Sequence, residues 1–130
     1  IWALRGAFKA QHDAKMLDDG SLMLFDNSGR RRISAVQVYD IANGELQWEY
    51  AGSEAQPFYT QFCGASQRLP NGNTLITESD NGRAFEITED GTIVWDFYNP
   101  HRAGENDEFI ATLFMVERVP VKYVGWLESE

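Results

Sequence analysis

Short runs of strand-forming residues, separated by Asn-Gly and Asp-Gly turns, predict an all-β fold. Two further observations agree: no segment before residue 100 shows a sustained helical period, and one set of motifs occurs twice along the chain. LMLFD (22–26) alternates poorly, but it is rich in strand formers and bounded by Asp19-Gly20 and Asn27-Ser28-Gly29. AVQVYD (35–40) alternates well, and ELQWEY (45–50) follows Asn43-Gly44. NTLITES (73–79), RAFEIT (83–88) and TIVWDF (92–97) follow Asn71-Gly72, Asn81-Gly82 and Asp90-Gly91. Asn-Gly and Asp-Gly supply the positive φ angles of tight hairpins, so these runs read as strands joined by hairpins.

The second half repeats the first. KMLDDGSLMLFDN and VQVYDIANGELQWEY correspond to QRLPNGNTLITES and AFEITEDGTIVWDF. Leu17 pairs with Leu69, Gly20 with Gly72, Gly44 with Gly91, Trp48 with Trp95 and Tyr50 with Phe97. The glycine offsets are 52 and 47 residues, so the first copy carries five extra residues, expected around Gly29 to Arg32. Each copy holds about four short strands in a period of roughly 50 residues, the signature of a β-propeller blade. A lone four-stranded sheet leaves its faces uncovered, so blades stack. The expectation is about two four-stranded blades (14–50 and 65–97) within a single propeller segment, 1–130. Residues 1–13 then end a preceding blade, with Ile1-Trp2 like Val94-Trp95. Residues 109–130 start a following blade or form a C-terminal tail, with FMVERVP (114–120) like GASQRLP (64–70). DEFIATLFMVERVPVKYVGW (107–126) admits a helix by period and a strand by repeat, with apolar side chains exposed in either case. Two blades cannot close a ring, so the other blades come from a longer chain or from other copies. A compact β-sandwich or barrel is the alternative fold.

Composition narrows the function. The chain has 130 residues, 43% hydrophobic and 13% aromatic, which suits one folded domain. Its net charge of −9 disfavours nucleic acid, while a local basic pocket still admits a small anion. Arg30-Arg31-Arg32 is the one basic cluster. No apolar run reaches the about 18 residues of a membrane span, and no signal peptide is visible. The chain opens at Ile1 and not Met, so a longer protein is expected. Cys63 is alone, allowing no internal disulfide and no metal-site spacing, and reads as a small buried residue. No Ser-His-Asp set, phosphate loop, zinc spacing or calcium loop is present. Asp18, Asp19, Asp26, Asp80 and Asp90 read as turn residues bonding local backbone.

Three stretches carry a resemblance: QHDAKMLDDGSLMLFDN, GASQRLPNGNTLITESDNGRAFEITEDGTIVWDF and NPHRAGENDEFIATLF. Together they resemble the arylsulfotransferase family of six-bladed β-propellers, over nearly the whole chain and in its C-terminal portion. QHDA followed by DG and FDN is the more specific part. The resemblance implies nucleotide-independent transfer of a sulfuryl group between phenols, with no cofactor, and an extracytoplasmic location. It also implies a phenolic sulfate or other aryl anion as partner. It places His12 in a histidine slot and Arg30, eighteen residues on, in the arginine slot. Arg offers a planar fork of donors to an anion, and imidazole can act as acid, base or nucleophile. Asp13 would fix the His12 tautomer. His101 and Arg102, in the loop after Pro100, are candidate substrate-binding residues.

Each candidate has a plainer reading. His12 alone reads as a hydrogen-bonded residue before a strand, and Asp13 as a turn cap. Arg83 follows Asn81-Gly82 much as Arg30 follows Ser28-Gly29, which suggests a structural arginine. His101 and Arg102 read as loop-ordering residues. On the glycine alignment His12 falls opposite Gly64, where a second histidine could stand. The competing function is a non-catalytic propeller that binds a partner or serves as a structural module.

Overall fold

The computed structural model describes residues 3–6, 8–30 and 32–128. Ile1-Trp2, read above as the end of an earlier copy, lies outside them. The described residues form two four-stranded antiparallel sheets and no α-helix. The first sheet has the order β1 (His12–Met16), β2 (Leu22–Arg30), β3 (Ile33–Tyr39), β4 (Leu46–Ala51). The second repeats that order with β5 (Ala65–Arg68), β6 (Thr74–Glu78), β7 (Arg83–Ile87) and β8 (Ile93–Tyr98). The glycines of the expected turns, Gly20, Gly44, Gly72, Gly82 and Gly91, all take positive φ.

The sheets meet face to face because the period-two pattern gives each an apolar side. Met23, Phe25, Val36, Val38 and Tyr50 of the first sheet face Ile76, Phe85 and Ile87 of the second. Phe58, from the segment linking the sheets, fills the centre, edge-on to Phe25 at 5.6 Å and to Phe85 at 5.5 Å. Rings in such edge-to-face clusters bury large apolar area and add a geometric preference. Trp48, Leu17 and Ile93 close the rim.

Register locates the five extra residues. Leu22 pairs with Tyr39 as Thr74 pairs with Ile87, and Tyr39 pairs with Leu46 as Ile87 pairs with Ile93. The offset between sheets therefore falls from 52 to 48 across the β2–β3 hairpin, and from 48 to 47 across the next turn. Four extra residues lie in the β2–β3 hairpin, as the sequence suggested; the fifth lies in the turn between β3 and β4.

The C-terminal stretch, 107–126, forms no α-helix and, apart from one two-residue strand, no strand. β9 (Arg102–Ala103) and β10 (Phe109–Ile110) make a two-residue ladder. Beyond it an extended strap crosses the second sheet, followed by 3-10 turns at Val121–Tyr123 and Gly125–Glu128. The strap is pinned by Leu113 N–H on Ser79 O, Val116 N–H on Thr77 Oγ1, and a reciprocal pair between Gln67 and the Arg118 backbone. Arg118 lies over Trp95 at 4.8 Å, as Arg68 lies over Trp48 at 4.8 Å. Phe114 remains 82% exposed, in line with the exposed apolar groups expected here.

Candidate functional site

The first strand is irregular where the candidates begin. His12 pairs with Phe25 and Lys15 with Met23, so Asp13 and Ala14 together oppose the single residue Leu24. This is a β-bulge, with Asp13 in the left-handed region at φ 51°. Asp tolerates that region better than most residues. The bulge also moves the alignment by one: through Phe25 and Thr77, the counterpart of His12 is Ala65, not Gly64.

His12 stands half-buried at the seam between the sheets. Its ring packs on Phe25 at a centroid distance of 5.3 Å. Nε2 lies 2.8 Å from the Gly64 carbonyl oxygen, and Nδ1 lies 3.3 Å from the Ala10 carbonyl oxygen. Gly64 is demanded by the same packing. Its φ is +143°, and an added Cβ would collide with the Phe25 ring.

Asp13 does not contact the His12 ring. One carboxylate oxygen accepts from Ser66 N–H at 2.7 Å, and the other pairs with Lys15 Nζ at 3.0 Å. Lys15 also donates to the Ser66 carbonyl at 2.6 Å. The bulge therefore turns Asp13 toward the next sheet, and the group facing His12 Nε2 is the Gly64 carbonyl.

Asn27 was not among the candidates. Its side chain is fully buried, and Nδ2 donates to Thr60 O and to Cys63 O, both at 2.8 Å. Its Oδ1 is buried without a donor. Ser34 Oγ joins the same cluster by donating to the Asn27 carbonyl and accepting from Thr60 N–H. The only sequence signal was an Asn ending a strand before Gly29, which read as a turn. Asp26 beside it is buried. It accepts from Lys9, Ser28 and Gly29 N–H groups, which holds the long hairpin in shape.

Arg30 ends that hairpin. It is exposed, and Nη2 donates to Glu49 Oε1 at 2.6 Å. Glu49 also accepts from Gln37, and Gln37 from the Tyr39 hydroxyl. Burial, then the Glu49 charge, raises the Tyr39 pKa above the usual phenol value. Arg30 thus turns toward the outer strand β4, while His12 bonds to the segment before β5. Arg102 lies exposed on the two-residue ladder, and His101 lies exposed just before it. Arg102 lines a shallow cleft with Arg83, Tyr98 and Ile110. The five candidates are thus spread over three places and share no hydrogen bond. Among the described residues no His, Cys, Asp or Glu cluster is arranged to hold a metal ion. Cys63 is free and half-buried.

A profile described as arylsulfotransferase (ASST) matches residues 1–100. No curated protein matches the chain at a significant level. Among solved structures, a protein of unknown function from Bacteroides caccae is 15% identical with a TM-score of 0.32. That similarity covers 72% of this chain and 48% of the other, so the chain spans about half the length of that protein.

Proposed function

The chain belongs to the arylsulfotransferase family, and from that membership we propose that it forms part of a β-propeller transferring a sulfuryl group between phenols without a nucleotide donor. The family match over residues 1–100 carries this reading. Two sheets of one topology, stacked on a shared core, support the blade arrangement. The other blades would come from the same longer chain or from other copies. The family implies an extracytoplasmic setting.

In this reading the aryl S–O bond of the donor breaks, and the leaving phenolate oxygen takes a proton from His12. The sulfuryl group passes to the oxygen of an acceptor phenol, whose proton goes to His12 and restores the protonated ring. Arg30 suits the anion because its present partner is weak. An exposed Arg–carboxylate pair contributes about 0–1 kcal/mol, and a sulfate ester could displace Glu49. His101 and Arg102 would serve the aryl end of the substrate.

One observation favours the second reading, a propeller that binds without catalysing. The register counterpart of His12 is Ala65, so the second sheet supplies no matching histidine. The test is release of p-nitrophenolate from p-nitrophenyl sulfate, with and without phenol. Phenol-dependent release supports transfer; its absence from folded protein favours the binding module.

A further inference from the structure

We infer that Asn27 is a positioning residue for His12, acting through the Gly64 carbonyl to fix the ring proton on Nε2. The inference rests on the reading that His12 takes part in transfer, and it deepens that reading.

The Asn27 amide faces two carbonyl oxygens, Thr60 O and Cys63 O. Only an NH2 group can serve both, so its orientation is set. It thereby holds the peptide just before Gly64, whose own carbonyl faces His12 Nε2 at 2.8 Å. Asn27 and His12 hold successive carbonyls of one segment, Cys63 and Gly64. The Phe25 ring blocks that segment from the Gly64 side and supports the imidazole on its face. Ser34 ties Thr60 by accepting from its N–H at 3.0 Å. The segment is therefore fixed at both ends by groups that are themselves buried.

Both ring nitrogens face carbonyl oxygens, which only accept; the contact of Nε2 with Gly64 O is the shorter and more buried one, 2.8 Å against 3.3 Å, so the neutral ring carries its proton on Nε2. Nδ1 is then the bare nitrogen, on the more exposed side of the ring, and is the atom that takes or returns a proton. The contact of Nδ1 with Ala10 O at 3.3 Å becomes a hydrogen bond only when the ring is doubly protonated. Asp13, engaged by Ser66 and Lys15, takes no part in the choice.

The test is a long-range nitrogen–proton correlation spectrum of the 15N-labelled chain, taken where its histidines are neutral. Loss of one signal set in His12→Gln identifies that ring. Wild type is expected to show protonated Nε2 and bare Nδ1. A wild-type Nδ1–H tautomer overturns the inference, and this needs no variant to fold. Asn27→Ala, with folding checked by its melting transition, is expected to give a mixture of tautomers. It should also give at least a tenfold lower kcat with little change in KM. An unchanged, fully Nε2-protonated ring in that variant would also overturn it. Absent transfer alongside the expected tautomer counts against the function reading alone.

Discussion

The two sheets share an order and a register, yet differ at the positions where the candidates lie. The second sheet is regular in its first two ladders: β5 pairs with β6 without a break, and its β6–β7 hairpin is short. The first sheet has a bulge at Asp13 and a β2–β3 hairpin longer by four residues. His12 and Arg30 sit at those two irregularities. Bulges re-aim side chains and concentrate near functional sites.

The two arginines sharpen the contrast. Arg83 is held by both oxygens of Asp96 at 2.9 Å, by Glu78, and over the rings of Phe85 and Tyr98. The Asp96 hydrogen bonds push its pKa up despite burial. By register its counterpart in the first sheet is Ala35, not Arg30. Arg30 comes instead from the added hairpin residues and has one partner, the half-buried Glu49. The sequence likeness of the two arginines therefore misleads: Arg83 is locked into the second sheet, whereas Arg30 has a single carboxylate partner, Glu49.

Four substitutions probe this contrast. Phe58→Ala should cost most, about 3–5 kcal/mol in urea unfolding, because that ring joins the two sheets. Arg83→Ala should cost about 3 kcal/mol, since it leaves the buried Glu78 carboxylate without its cation. Glu86→Gln should flatten the acid side of the stability curve. Asn73, then Asn71 and Arg118, hold the Glu86 carboxyl below its usual 4.5. A lowered folded pKa gives stability that is full above that value and lost as pH falls through the folded one. The variant should lose less melting temperature between neutral and acid pH than wild type. Arg30→Ala should be smallest, under about 1 kcal/mol. A loss as large as that of Arg83→Ala would erase the distinction between the sheets.

Much of the fold was legible because hairpin chemistry is local. The last three strands of each sheet and their turns follow from Asn-Gly and Asp-Gly spacing and apolar runs. The first strand of each sheet was hidden: HDAKM and ASQR are short and polar, and neighbours hold them more than propensity does. The bulge at Asp13 was also silent, since alignment on glycines assumes constant spacing. Phe58 gave no signal either, because it enters the core from a connection. Of the site, His12 and Arg30 were legible as residue types. Asn27 and the Gly64 carbonyl were not, because their roles arise from contacts about 35 and 52 residues apart in the chain.

The central claim is that the first sheet carries the reaction and the second supports it. The most direct measurement is phenol-dependent turnover of p-nitrophenyl sulfate by wild type and His12→Gln, with melting followed alongside. Gln can keep a donor toward Gly64 O while removing the imidazole. Turnover lost with melting within a few degrees of wild type is the predicted result. Equal turnover in the variant would contradict the account.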